Sequence, residues 1–176
     1  MKKVLLVAAV MVMAVCGVQA QGKWYVGTTG IGATSGHPLF TGVMFQGDNT
    51  AVGIAPEVGY NFSDNLAFGL GIGFASWGNE TSSFGINPYV RWSFWKKDNF
   101  AFYLQGDIQY TTFKMGPAKT NTFGIAVLPG VSYSFNEHFS MNCSVGSLGY
   151  AKTKDMDGSF GLLVDGGLNF SLSYTF

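Results

Sequence analysis

Between Phe160 and Phe176 every even position is apolar or glycine (Phe160, Leu162, Val164, Gly166, Leu168, Phe170, Leu172, Tyr174, Phe176), and the odd positions are mostly small or polar. A period of two held over this length excludes a helix, whose apolar face returns every 3.6 residues, and demands an extended strand with one apolar face. The same alternation runs from Phe123 to Phe135, from Phe100 to Thr112 and from Leu66 to Phe74. Eight such segments emerge, at about 23–34, 50–62, 66–77, 83–95, 100–112, 121–135, 139–150 and 160–176. Their connections alternate: short at 63–65, 96–99 and 136–138, long at 35–49, and intermediate at 78–82, 113–120 and 151–159. An even strand count with short turns at one end and longer loops at the other predicts an all-β fold, an eight-stranded antiparallel transmembrane up-and-down β-barrel.

A soluble barrel shows the same alternation with its faces exchanged, so composition must decide which face is outside. Only 11% of the residues are charged, against roughly 25% in soluble globular domains. The less apolar face, mostly Gly, Ala, Ser, Thr and Asn, is too poor in charge to meet water. The other face is too bulky for a narrow interior. The apolar face is therefore placed outward, against lipid, where closure also removes unpaired strand edges. A formal net charge of zero gives no electrostatic footprint for a nucleic-acid partner.

The first residues read as an export signal: Lys2 and Lys3, an apolar run from Val4 to Val15, and Val18 and Ala20 at small-residue cleavage positions. The expected organisation is a signal peptide at 1–20 and the barrel at 21–176. The apolar run is shorter than the roughly 20 residues of a spanning helix. The Val preceding Cys16 disfavours a lipid-modified signal. Cleavage leaves Cys143 as the only cysteine, and hence no intramolecular disulfide.

"GIAPEVGYNF" (53–62) has a near-copy in "GINPYVRWSF" (85–94) and a partial third copy in "VLPGVSYSF" (127–135). Each copy is a strand running into a short turn, and its last aromatics sit where hydrocarbon meets water, forming a girdle. The repeat thus records hairpin geometry. Pro56, Pro88 and Pro129 cannot donate to a ladder, so each predicts a bulge or a missing bond.

Lys-Lys at the start, eight alternating strands, the Pro-x-Val repeat and a last strand "GGLNFSLSYTF" ending in Phe together resemble the small outer-membrane β-barrel domain family, the porin-like proteins of bacterial outer membranes. The resemblance implies residence in the bacterial outer membrane, contact with its lipid and lipopolysaccharide, and delivery by periplasmic chaperones. It also implies that Phe170, Leu172, Tyr174 and Phe176 form the signal read by the barrel-assembly machinery. The family is a fold label with diverse roles and supplies no reaction.

Parity sends Glu57, Arg91, Asp107 and Asp165 to the lumen, with Tyr89, Tyr103, Asn87, Gln105, Gln109 and Asn169 around them. A narrow barrel is filled by its own side chains, so these residues are expected to form a polar plug in which Arg91 neutralises at least one acid. A Ser/His/acid constellation would have to gather at one rim. The two histidines, His37 in the first long loop and His138 in a turn at the opposite end, cannot meet. No catalytic residue, cofactor or metal site is assigned: "DMDGS" (155–159) lacks the remaining ligands of a calcium loop and reads as an Asp-Gly turn. Leu39, Phe40, Met44 and Phe45 in the first loop are candidates for an interaction surface of unknown partner, and Lys114, Lys119, Lys152 and Lys154 near other loops could bind anionic lipopolysaccharide, although scattered lysines are usually solvated. The expected function is a structural or interaction role in the cell envelope. The alternative is a small porin or passive conduit for small or apolar molecules.

Overall fold

The computed structural model describes residues 23–31, 41–46, 49–78 and 80–176, with side chains for all of these except 31, 44–46, 49, 78 and 162–167. The signal peptide expected at 1–20 lies outside the described residues. Ten strands follow one another: β1 (Trp24–Ile31), β2 (Gly42–Gln46), β3 (Asn49–Ile54), β4 (Pro56–Asn61), β5 (Leu66–Gly78), β6 (Thr81–Lys97), β7 (Phe100–Met115), β8 (Ala118–Ser134), β9 (Phe139–Thr153) and β10 (Ser159–Thr175). They make eight staves, because β1 and β2 lie end to end against β4 and β3, which are themselves one stave broken at Ala55. Every pairing is antiparallel and β10 returns to β1, so the sheet closes.

Parity is obeyed through most of the wall. Outward residues such as Val58, Phe68, Val90, Ile108 and Ile125 are exposed, while Glu57, Asn87, Tyr103, Asp107 and Asn142 are buried. Rings pack against one another around the short-turn end: Trp24 on Tyr60 (5.1 Å), Phe62 on Phe68 (6.1 Å), Trp92 on Phe94 (5.9 Å), Phe100 on Tyr133 (4.8 Å) and Phe139 on Tyr174 (4.9 Å). A one-residue shift between Ser93 and Trp95 in the β6–β7 register leaves both Phe94 and Trp95 exposed. A bulge thus adds a second consecutive aromatic to the girdle.

Each proline leaves a mark on the ladder. Pro56 follows the break at Ala55. Opposite Pro88 the β6–β7 ladder passes from Ile86↔Tyr110 directly to Tyr89↔Asp107, and Asn87 Nδ2 donates to Ile108 O (3.1 Å), the carbonyl that a residue-88 amide would have served. At Pro129 the β8–β9 register shifts between Val127 and Gly130; the extra residue is on β9, where Gly146 takes φ 64°.

The connections at the end opposite the short turns are shorter than the sequence implied. Met115 pairs with Ala118, leaving only Gly116 and Pro117 as a turn within the expected 113–120 loop. Gly78 pairs with Thr81 inside the expected 78–82 connection. The 151–159 connection shrinks to a turn between Thr153 and Ser159, with Asp155 at φ 64°. Met44 and Phe45, expected in a loop, have their backbone in β2, paired with Ala51 and Thr50. The reason is common to all four: once strands project above the bilayer, extending the ladder satisfies more backbone groups than a loop would. Strands β6 to β10 run 15–17 residues, whereas about 9–11 cross a bilayer.

The first long connection leaves at Ile31 and returns at Thr41, where one hydroxyl mends the wall. Thr41 Oγ1 donates to Thr29 O (2.9 Å), accepts from Ala55 N (2.9 Å) and lies 2.6 Å from Thr28 Oγ1, while Thr41 N donates to Gly30 O (3.0 Å). Without that clasp the amide of Ala55, which is fully buried, would face no acceptor at the break.

Candidate functional site

Three inward tyrosines define the middle of the lumen, and each stands directly across the ladder from a glycine. Tyr25 faces Gly59, Tyr89 faces Gly69 and Tyr103 faces Gly130. A Cβ on those glycines would fall 2.1, 2.3 and 2.3 Å from the Cζ of its tyrosine, so the rings lie flat across bare backbone. In the same way Glu57 faces Gly27, whose Cβ would meet Glu57 Oε1 at 3.0 Å. Small residues on one strand thus admit large polar ones from the next into a narrow interior.

The polar groups form two short chains. Tyr89 O–H donates to Glu57 Oε2 (3.0 Å), which leaves Tyr25 O–H to donate to the Tyr89 oxygen (2.8 Å). Arg91 Nε donates to Gln105 Oε1 (2.8 Å), and Gln105 Nε2 donates to Asp107 Oδ1 (2.9 Å). Arg91 joins the two chains through its π contacts: its guanidinium carbon is 5.3 Å from the centre of the Tyr89 ring and 4.9 Å from that of Tyr103. No ion pair within 4.0 Å joins Arg91 to a carboxylate among the described residues. The arginine therefore meets Asp107 through Gln105, and is otherwise held between rings. Glu57 Oε1 is buried without a hydrogen-bond partner.

The structure brings together Glu57, Tyr89, Arg91, Tyr103 and Asp107. The side chain of Asp165, Leu39, Phe40, and the side chains of Met44 and Phe45 lie outside the described residues, and so does His37. Tyr25 was missed as a lumen residue, although Trp24 and Val26 already put the odd positions of β1 inward. Asn169 reaches back to the wall, accepting from Gly30 N (3.0 Å). Phe170, Leu172, Tyr174 and Phe176 follow β10 down to the girdle, where Tyr174 and Phe176 meet edge to face at 5.3 Å and Phe176 N donates to Trp24 O. His138 stacks on Tyr174 (5.4 Å) with Nδ1 2.8 Å from Thr175 O, at the turn end and away from the acids of the lumen. Among the described residues no group of three or more His, Cys, Asp or Glu could hold a metal ion.

The polar layer separates two spaces. One, ≈ 220 Å³, opens at the short-turn end and is floored by Tyr25 and Arg91 among Ser93, Ser132, Asn142 and Ser173. The other, ≈ 650 Å³, lies toward the opposite end among Gln109, Thr111, Phe113, Ala126 and Leu128.

A family model described as "Outer membrane protein beta-barrel domain" matches residues 4–176. The chain belongs to that family. Membership places this outer-membrane β-barrel in the bacterial outer membrane. Among solved structures, the barrel is similar to the N-terminal β-barrel domain of Pseudomonas aeruginosa OprF, at 11% identity and a TM-score of 0.54, over 90% of this chain and 100% of that one. It is also similar to Neisserial surface protein A (NspA), at 13% identity and a TM-score of 0.48, over 88% and 95% of the two chains. At such identities the likeness to OprF speaks for the fold alone. No curated protein sequence matches the chain.

Proposed function

We propose that this outer-membrane barrel is plugged, and that it serves the cell envelope through its lipid-facing wall and external hairpins. The observation that carries this reading is the layer of Tyr25, Glu57, Tyr89, Arg91, Tyr103, Gln105 and Asp107 across the lumen, tied by hydrogen bonds and ring contacts. On this reading a layer so connected stiffens the wall and blocks the water path through it. Its partners on this reading are outer-membrane lipid and lipopolysaccharide. Periplasmic chaperones and the barrel-assembly machinery act earlier, the latter reading the outward row of β10 that ends in Phe176. No reaction is proposed, and no cofactor is needed.

A second reading, a small porin or passive conduit, draws on the spaces of ≈ 220 and ≈ 650 Å³ on either side of the layer. Planar-bilayer recordings separate the two. The wild-type barrel is expected to show no steady channel, and the double variant Tyr89→Ala/Tyr103→Ala is expected to conduct. Steady wild-type conductance would overturn the plug and favour the conduit. Membrane fractionation, with unheated and boiled samples on a gel, tests the setting independently: outer-membrane recovery with heat-dependent migration is expected.

A further inference from the structure

Sequence alone scatters Lys114, Lys119, Lys152 and Lys154, but the barrel gathers them. Lys114 and Lys119 are direct cross-strand partners at the β7–β8 hairpin. Lys152 is the partner of Phe123, and Lys154 N donates to Asn121 O (2.8 Å), which sets Lys154 diagonally from Lys119. All four are exposed. Lys114, Lys119 and Lys152 continue the outward parity of their strands, which runs through Ile108 and Tyr110 on β7, Phe123 and Ile125 on β8, and Leu148 and Tyr150 on β9, and Lys154 is the first residue past the end of β9. Adjacent strands lie about 4.8 Å apart and cross-strand Cβ atoms about 5 Å apart, so four positive charges occupy a strip only three strands wide.

Such a strip is costly in isolation, since like charges directly opposite one another on a sheet repel. None of the four makes an ion pair within 4.0 Å among the described residues. The nearby acids are Glu80 in the β5–β6 turn, whose carbonyl accepts from Gly116 N, and Asp155 and Asp157 in the β9–β10 turn directly after Lys154. Immediately below Lys114 and Lys119, Thr112 Oγ1 and Asn121 Oδ1 are hydrogen-bonded across the strands (2.9 Å). Below that comes a row of exposed rings, with Tyr110 partnering Phe123 and Tyr150 partnering Phe160. Lys114 and Lys119 thus lie beyond an uncharged hydrogen-bonded pair and a row of rings, while Lys154 flanks Asn121 and Lys152 flanks Phe123; cations bordering hydrogen-bonding groups and rings offer partners for the phosphates, sugars and acyl chains of an outer-leaflet glycolipid.

We propose that the outer wall of β7, β8 and β9 is a binding strip for a phosphorylated glycolipid of the external leaflet, with Lys114, Lys119, Lys152 and Lys154 holding its phosphates. The proposal rests on the reading that the short turns face the periplasm. The test uses the full barrel refolded in detergent and native mass spectrometry, with bisphosphorylated lipid A, dephosphorylated lipid A and phosphatidylglycerol as probes. Wild type is expected to retain bisphosphorylated lipid A in preference to the other two. The quadruple variant Lys114→Gln/Lys119→Gln/Lys152→Gln/Lys154→Gln is expected to lose that retention about tenfold or more. The turn-end variant Lys23→Gln/Lys96→Gln/Lys97→Gln is expected to keep it. Equal retention of phosphorylated and dephosphorylated lipid A, equal loss in both variants, or equal retention of phosphatidylglycerol overturns the proposal. Two controls report on the underlying reading separately. A missing heat-dependent gel shift in wild type would remove the barrel itself. Failure of a membrane-impermeant amine reagent to reach the strip on intact cells would invert the orientation, and the proposal would fall with it.

Discussion

At the scale of single residues, the interior depends on tyrosines laid over glycines. Gly130 is the most demanding of these positions, because a Cβ there would also fall 2.6 Å from the backbone oxygen of Cys143, which cannot swing away as a ring can. Gly130→Ala is therefore expected to cost about 1–3 kcal/mol and to lower the midpoint of a gel-shift melting series. Gly106→Ala, where a Cβ would meet nothing within 4 Å, is expected to leave it unchanged. Arg91 contributes a hydrogen bond to Gln105 and two ring contacts. Its replacement by Ala removes all three and should destabilise the barrel by about 2–4 kcal/mol. Arg91→Lys should recover only part of that loss, since an ammonium cannot present a flat face to two rings. A melting series in which both substitutions match wild type would take Arg91 out of the proposed layer.

At the scale of elements, two side chains stand in for backbone groups that the ladder lacks. Asn87 serves the Ile108 carbonyl opposite Pro88, and Thr41 serves the Ala55 amide at the break between β3 and β4. Asn87→Leu and Thr41→Val each leave a backbone group without its partner, at an expected cost of about 1–3 kcal/mol. The two sites lie on different pairs of strands, so hydrogen exchange should accelerate locally, around Ile108 in one variant and around Ala55 in the other. Uniform acceleration in either case would mean that the wall opens as one unit. The prolines made irregularity legible in the sequence. The compensating groups were not legible, because Asn87, though next to Pro88, acts on a carbonyl of the neighbouring strand, and Thr41 comes from the far side of a loop.

At the scale of the whole molecule, the four tryptophans divide by environment. Trp24, Trp92 and Trp95 are exposed on the outer wall near the short turns, whereas Trp77 packs against Ala51 and Ala75 and lies 5.5 Å from Phe113. In single-tryptophan variants, lipids brominated near the head group should quench Trp24, Trp92 and Trp95 strongly and Trp77 weakly. Strong quenching of Trp77 would exchange the inner and outer faces near the open end. The same picture accounts for the composition: the surface is poor in charge because most of it meets hydrocarbon, and such charge as the outer wall carries is gathered at its rims.

The sequence by itself determined the strands, their number and, away from the bulges, the face each residue takes, because alternation is a local property that every strand records independently. It also located the aromatic girdle and the irregular points, since rings and prolines act within their own strand. Only the tertiary structure decided register: which tyrosine lies over which glycine, that Arg91 sits between two rings, that expected loops continue as ladder, and that four separated lysines form one strip. Register couples residues tens of positions apart through hydrogen bonds to a neighbouring strand, and a one-residue bulge such as that at Gly146 resets it for everything beyond.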